Sequence, residues 1–128
     1  MILGQGAEAI VTKIDARTVL KERIPKEYRH PTIDATLRKQ RTRREAKIFE
    51  KLAVLKFPAP RLKQVDEKKM TITMDFVKGE KLRDVIHKNP LKLSREMGRK
   101  VGILHANNIV HGDLTTSNMI LSDEITFI

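Results

Sequence analysis

The chain has 128 residues, carries 26 Lys and Arg against 16 Asp and Glu for a net charge of +10, and contains no cysteine. This excludes a disulfide framework and a thiolate metal site, and no apolar run approaches the roughly 20 residues of a membrane span. The positive balance suits a polyanionic partner, with a solvated lysine-rich face as the plain alternative. Aromatics make up 4% and are not interleaved with the basic residues, which argues against a platform for stacking single-stranded bases. The opening Met-Ile-Leu-Gly has neither the charged nor the apolar region of a signal peptide, so a cytoplasmic protein without membrane association is expected.

In chain order, the first informative stretch is Gly4-Gln-Gly6-Ala-Glu-Ala9-Ile-Val11, a G-x-G-x-x-A-x-V string. Glycines there let backbone approach phosphate oxygens, although a hairpin turn explains the string equally well. Ten residues beyond Val11, Thr18-Val-Leu-Lys21 reads as a strand ending in a lysine. The segment 32–55 reads as a helix started by Pro31 and Thr32, with Asp34 near the positive end of its dipole. Ile33, Leu37, Ile48, Phe49 and Leu52 fall roughly on helical spacing. Glu45 is assigned as the acidic partner of Lys21. Glu50 is the competitor, about 140° further round the helix, so both cannot face that lysine.

Lys56-Phe-Pro-Ala-Pro-Arg61 breaks the helix. Segments 61–65 and 70–76 then predict an antiparallel pair, the second with Met70, Ile72, Met74 and Phe76 on one face. Further along, 82–87 reads as a short helix and 91–107 as a longer one striped by Leu93, Met97, Val101 and Leu104. Asn107-Asn108 supplies the stop, since Asn tolerates left-handed geometry. A hairpin is expected from 119–121 and 125–128 around Ser122-Asp-Glu124.

Between those elements lies His111-Gly-Asp-Leu-Thr-Thr-Ser-Asn118. It matches the protein-kinase catalytic loop H-R-D-L-x-x-x-N at every fixed position except Gly112 in place of Arg. In such a loop the Asp accepts or orients the proton of the attacking hydroxyl, and the Asn holds magnesium on the phosphates of ATP. The order of motifs therefore predicts an α+β, bilobal, protein-kinase-like fold. Residues 1–76 would form an antiparallel-sheet N-lobe with one main helix. Residues 77–128 would form the crossing and an incomplete helical C-lobe. Val77-Lys-Gly79 would cross between the lobes, bordered by Asp75, and offer backbone groups to adenine, with Met74 behind. The next expected motif, Asp-Phe-Gly, would follow Thr126-Phe-Ile128, so the chain reads as a truncated form with an incomplete metal site.

Two stretches are more specific, Arg23-Ile-Pro-Lys-Glu-Tyr-Arg-His-Pro31 and the Thr-Thr-Ser insert of the loop, and Lys21-Glu22 and Arg41-Thr-Arg-Arg-Glu-Ala46 accompany them. Over essentially its whole length the chain resembles the small atypical kinase subunit of the KEOPS complex, a relative of the RIO-type kinases. The resemblance implies an ATP-dependent serine/threonine kinase or ATPase using Mg2+. Its expected partners are the threonylcarbamoyl-transferase subunit and other KEOPS subunits, in threonylcarbamoyl-adenosine modification of tRNA. By the same resemblance Gly4, Gly6, Ala9 and Val11 form the phosphate loop, Lys21 and Glu45 the ion pair, Asp113 the base and Asn118 the metal ligand.

Gly112 removes the Arg that pairs with an activation-loop phosphate, and Thr115 stands where many such kinases place a lysine near the transferred phosphate. Slow transfer, or hydrolysis, is therefore the expected chemistry. The competing readings are a small-molecule phosphotransferase of the aminoglycoside or choline kinase type, and a non-catalytic nucleotide-binding scaffold.

Overall fold

The computed structural model describes residues 1–5, 9–112 and 114–128. Gly6 and Asp113, two of the expected site residues, lie outside the described residues. The chain divides into two units, Met1–Phe76 and Val77–Ile128.

The first unit is built on a five-stranded antiparallel sheet in the order β1-β2-β3-β5-β4. Its strands are β1 (Ile2–Gln5), β2 (Ala9–Asp15), β3 (Thr18–Arg23), β4 (Leu62–Asp66) and β5 (Thr71–Asp75). Side chains alternate across a strand, so cross-strand partners share a face. Val19 lies opposite Met74 and Lys21 opposite Ile72, which puts Val19, Lys21, Arg23, Ile72 and Met74 on one face. Ile72 is 2% exposed. With Phe49 and Leu52 of helix α1 (Pro31–Val54) and with Phe57, these apolar residues form the core.

Local chemistry sets the ends of α1. The His30 ring nitrogen Nδ1 accepts from the Thr32 N–H at 3.2 Å, and Pro31 occupies the first turn, where it costs no hydrogen bond. At the other end Lys56 takes φ +56°, and the Phe57 N–H reaches back to the Leu52 carbonyl at 3.0 Å. One expectation about this helix is corrected. Ile33 is exposed, and the buried line of α1 runs through Asp34, Thr42, Ala46, Phe49 and Leu52. Asp34 stands in the first turn, as expected. It is buried and accepts from Arg29 Nε at 2.9 Å, Arg38 Nε at 2.7 Å and the Lys26 N–H at 3.1 Å. Burial alone would raise its pKa, but these donors outweigh that and hold the carboxyl below its ordinary value.

The second unit pairs a three-stranded antiparallel sheet, β6-β7-β8, with helices. Here β6 is Glu80–Lys81, β7 is Met119–Leu121 and β8 is Ile125–Phe127. Helix α2 (Leu82–Val85) runs on as a 3-10 turn, and α3 spans Pro90–Ala106. Leu82, Val85, Leu93, Leu104, Ile109, Met119, Ile125 and Phe127 make its core. Asn108 sits at φ +60°, the left-handed stop expected of it. Met97 and Val101 of the predicted stripe are only half-buried, and the fully buried side chain between them is Lys100. β6 was not legible in the sequence. It forms because Gly79, at φ +152°, lets the chain lie against β7: a Cβ there would meet the Leu121 carbonyl oxygen at 2.4 Å.

Candidate functional site

In the first unit the site is organised around Lys21. Its backbone is held on both sides, opposite Val11 on β2 and Ile72 on β5. Its ammonium donates to Glu45 Oε1 of α1 at 2.6 Å. Glu50 is exposed and makes no ion pair among the described residues, so of the two candidate acids Glu45 is the one in contact. The other oxygen of Glu45 is occupied as well: Oε2 accepts from Arg23 Nη2 at 2.9 Å. The sequence reading missed Arg23. Its signal was present, since residues two apart on a strand share a face.

Gly4 lies opposite Val11, and among the described residues no atom comes within 4 Å of where a side chain would begin. Ala9 is buried opposite Arg23, and Val11 is half-buried opposite Lys21. Met74 packs in the core between Val19 and Leu62. Asp75 closes β5, donates its N–H to the Arg61 carbonyl at 2.9 Å, and faces Lys63 Nζ at 3.6 Å.

Val77 opens the second unit and is half-buried. His111 sets Nε2 2.9 Å from the Ile128 carbonyl oxygen and its ring edge against Phe127. Gly112 takes φ +85°, a conformation that L side chains avoid. Its glycine is thus a backbone requirement as much as the loss of an arginine. Asn118 ends the 3-10 turn Thr116–Asn118, and its carbonyl accepts from the Ile128 N–H at 2.9 Å, anchoring it to the end of β8. The histidine and asparagine of the loop are therefore both tied to Ile128.

The charge outside this site is unevenly neutralised. On the exposed side of α1, Arg43 makes a two-pronged contact to Glu67 at 2.7 and 2.8 Å. Arg38 is engaged by Asp34. Arg44 and Lys47 are exposed and make no ion pair among the described residues. No helix in the described residues is long and apolar enough to cross a membrane.

Comparison with known proteins places these features in a family. The RIO domain pattern matches residues 10–128. The chain is 43% identical over 135 residues to the KEOPS complex subunit Bud32 of Pyrococcus abyssi, covering 95% of this chain and 61% of that protein. It is 45% identical over 123 residues to the EKC/KEOPS complex subunit BUD32 of Encephalitozoon cuniculi, covering 94% and 61%. It is also 37% identical over 130 residues to the probable bifunctional tRNA threonylcarbamoyladenosine biosynthesis protein of Methanocaldococcus jannaschii, covering 99% and 24%. The chain thus spans at most 61% of the length of these three relatives. With an antiparallel sheet and its helix carrying a lysine–glutamate pair, followed by an α+β unit carrying the His-x-Asp loop, and with the family pattern running from residue 10 to the last residue, this chain belongs to the RIO domain family and has its α+β, kinase-like fold.

Proposed function

We propose that this chain carries the nucleotide-binding and catalytic motifs of an ATP-dependent serine/threonine kinase or ATPase that acts as a KEOPS subunit in threonylcarbamoyl-adenosine modification of tRNA. The observation that carries the reading is the Lys21–Glu45 pair at 2.6 Å within a chain of the RIO domain family. A lysine fixed in this way presents one ammonium to phosphate oxygens without searching other rotamers. The residues fit the phosphates of ATP: a held cation at Lys21, and at Gly4 no described atom within 4 Å of where a side chain would begin. Gly4, Gly6, Ala9 and Val11 would cover them, and Met74, Asp75 and Val77 would bound the adenine.

For Mg2+ the described residues offer Asn118, and no cluster of three His, Asp or Glu that could hold a metal occurs among them. Asn118 would hold the ion, which would neutralise charge on the transferred group. Asp113 would orient the attacking hydroxyl or water. Because Thr115 brings no charge to the transferred phosphate, turnover is slow, and water competes as acceptor. The relatives' names as KEOPS subunits favour this reading over a small-molecule phosphotransferase. Arg44 and Lys47, exposed and without an acidic partner among the described residues, suit contact with tRNA phosphates, and the threonylcarbamoyl-transferase subunit is the expected protein partner.

The test uses the full-length natural polypeptide. Asp113→Asn is expected to abolish ATP turnover while leaving ATP affinity within about twofold. Turnover that survives this change sinks the assigned chemistry.

A further inference from the structure

We propose that Arg23 is a positioning residue for nucleotide binding: it holds one oxygen of Glu45 so that the other is presented to Lys21. The proposal rests on the reading of Lys21 as the phosphate-binding cation.

Lys21 and Arg23 project from the same face of β3, two residues apart, toward one carboxylate on α1. Glu45 Oε1 takes Lys21 Nζ at 2.6 Å and Oε2 takes Arg23 Nη2 at 2.9 Å. The terminal torsion of a glutamate is soft and nearly two-fold, so a single donor leaves the carboxylate free to rock. Donors on both oxygens fix its plane. Lys21 is left one of the two carboxylate oxygens, the other being held by Arg23. Exposure is graded in the same sense: Arg23 and Glu45 side chains are 15% and 18% exposed and Lys21 is 28%. The clamp is inside and the cation that meets ligand is outside.

Arg23 is itself held in place. Its carbonyl accepts from Arg38 Nη1 at 3.3 Å, and Arg38 is anchored through Nε to the buried Asp34 at 2.7 Å. The same Asp34 fastens Arg29 and the Lys26 N–H of the stretch between β3 and α1. Lys21, Glu45 and Arg23 are therefore the outer end of a hydrogen-bonded chain that starts in the base of α1. The alternative is that Arg23 is only a strut between β3 and α1, and thermodynamic coupling separates the two roles.

The experiment measures the affinity of the full-length natural polypeptide for a fluorescent ATP analogue with Mg2+, together with thermal midpoints. The variants are Arg23→Met, Arg23→Lys, Glu45→Gln, Lys21→Met and the double variant Arg23→Met/Glu45→Gln. Arg23→Met is expected to weaken binding about five- to tenfold, and to have no further effect once Glu45 is Gln. Arg23→Lys, which keeps the charge but loses the planar fork, should recover part of the loss at an unchanged thermal midpoint. It carries the test if the methionine variant does not fold. In turnover, the change in KM for ATP relative to kcat should copy that of Glu45→Gln. Full additivity of the two substitutions, or a lowered midpoint with unaltered binding, makes Arg23 a strut and overturns the proposal. If Lys21→Met leaves affinity unchanged, the phosphate-binding reading itself fails and takes this inference with it. Loss in Lys21→Met with none in either Arg23 variant removes Arg23 alone.

Discussion

Replacing Lys100 by Met tests how much a buried ammonium holds the second unit together. The Lys100 side chain is 3% exposed and spends its three N–H groups on Glu96 Oε2 at 3.0 Å, Glu124 Oε1 at 2.7 Å and the Ile125 carbonyl at 2.7 Å. Glu96 Oε2 also accepts from the Ile125 N–H at 2.6 Å, so the ammonium joins α3 to the start of β8. Methionine fills much of the same volume, and the cost falls on the acceptors left behind. Glu124 is 58% exposed and rehydrates at almost no cost. The Ile125 carbonyl belongs to a residue with no exposure, and an orphaned buried acceptor costs about 1–3 kcal/mol. Glu96 keeps the Ile125 N–H but loses its counter-charge while only 21% exposed, which adds about 1–2 kcal/mol. The sum is about 3 kcal/mol. Urea unfolding of the full-length polypeptide, with the midpoint read at constant slope, measures it. Glu124→Gln serves as the control and should cost less than about 1 kcal/mol. A loss below about 0.5 kcal/mol for Lys100→Met, or equal losses for both variants, refutes the account.

Three further outcomes follow from the same geometry. Burial raises the pKa of Glu96, but the Ile125 N–H and then Lys100 outweigh it, so its folded value lies below the ordinary one. A depressed carboxyl stabilises the fold above its unfolded pKa, and that share is lost as pH falls through the folded value. The stability gap between wild type and Glu96→Gln should therefore shrink between about pH 5 and pH 2 in denaturation midpoints. Gly79→Ala drives a Cβ to 2.4 Å from the Leu121 carbonyl and is expected to cost about 3 kcal/mol by urea unfolding, whereas an unchanged midpoint would remove the steric account of β6. If Arg44 and Lys47 meet tRNA phosphates, Arg44→Ala/Lys47→Ala should reduce the slope of log affinity against log salt by about 2. An unchanged slope assigns that charge to something other than tRNA.

Much of the fold could be read along the chain because the signals are local. The Pro31 start of α1, the Phe57-Pro break, the Ile72/Met74 alternation and the left-handed Asn108 each depend on a residue and its near neighbours. β6 could not be read this way, because two residues form a strand only when β7 is beside them. Gly112 shows a further limit. Compared with a motif it looked like a missing arginine, while its φ of +85° shows a backbone that needs glycine.

The sequence by itself determined the order of motifs, the class of fold and the residue types that could handle phosphate, since periodicity and spacing are properties of one strand or one helix. It could say that Glu45 and Glu50 do not share a face, because helical geometry is local. That Glu45 is the one in contact, and that its carboxylate carries Arg23 as well as Lys21, was decided by how α1 lies on β3. The same holds for Asp34, which looked like a helix-start acid and became the buried hub of Arg29 and Arg38. It holds also for Lys100, whose charge is matched by a turn 24 residues further on. An ionic group's surroundings are set by whatever packs against it from distant sequence. Only the tertiary structure could turn those charges from solvated surface into buried, hydrogen-bonded anchors.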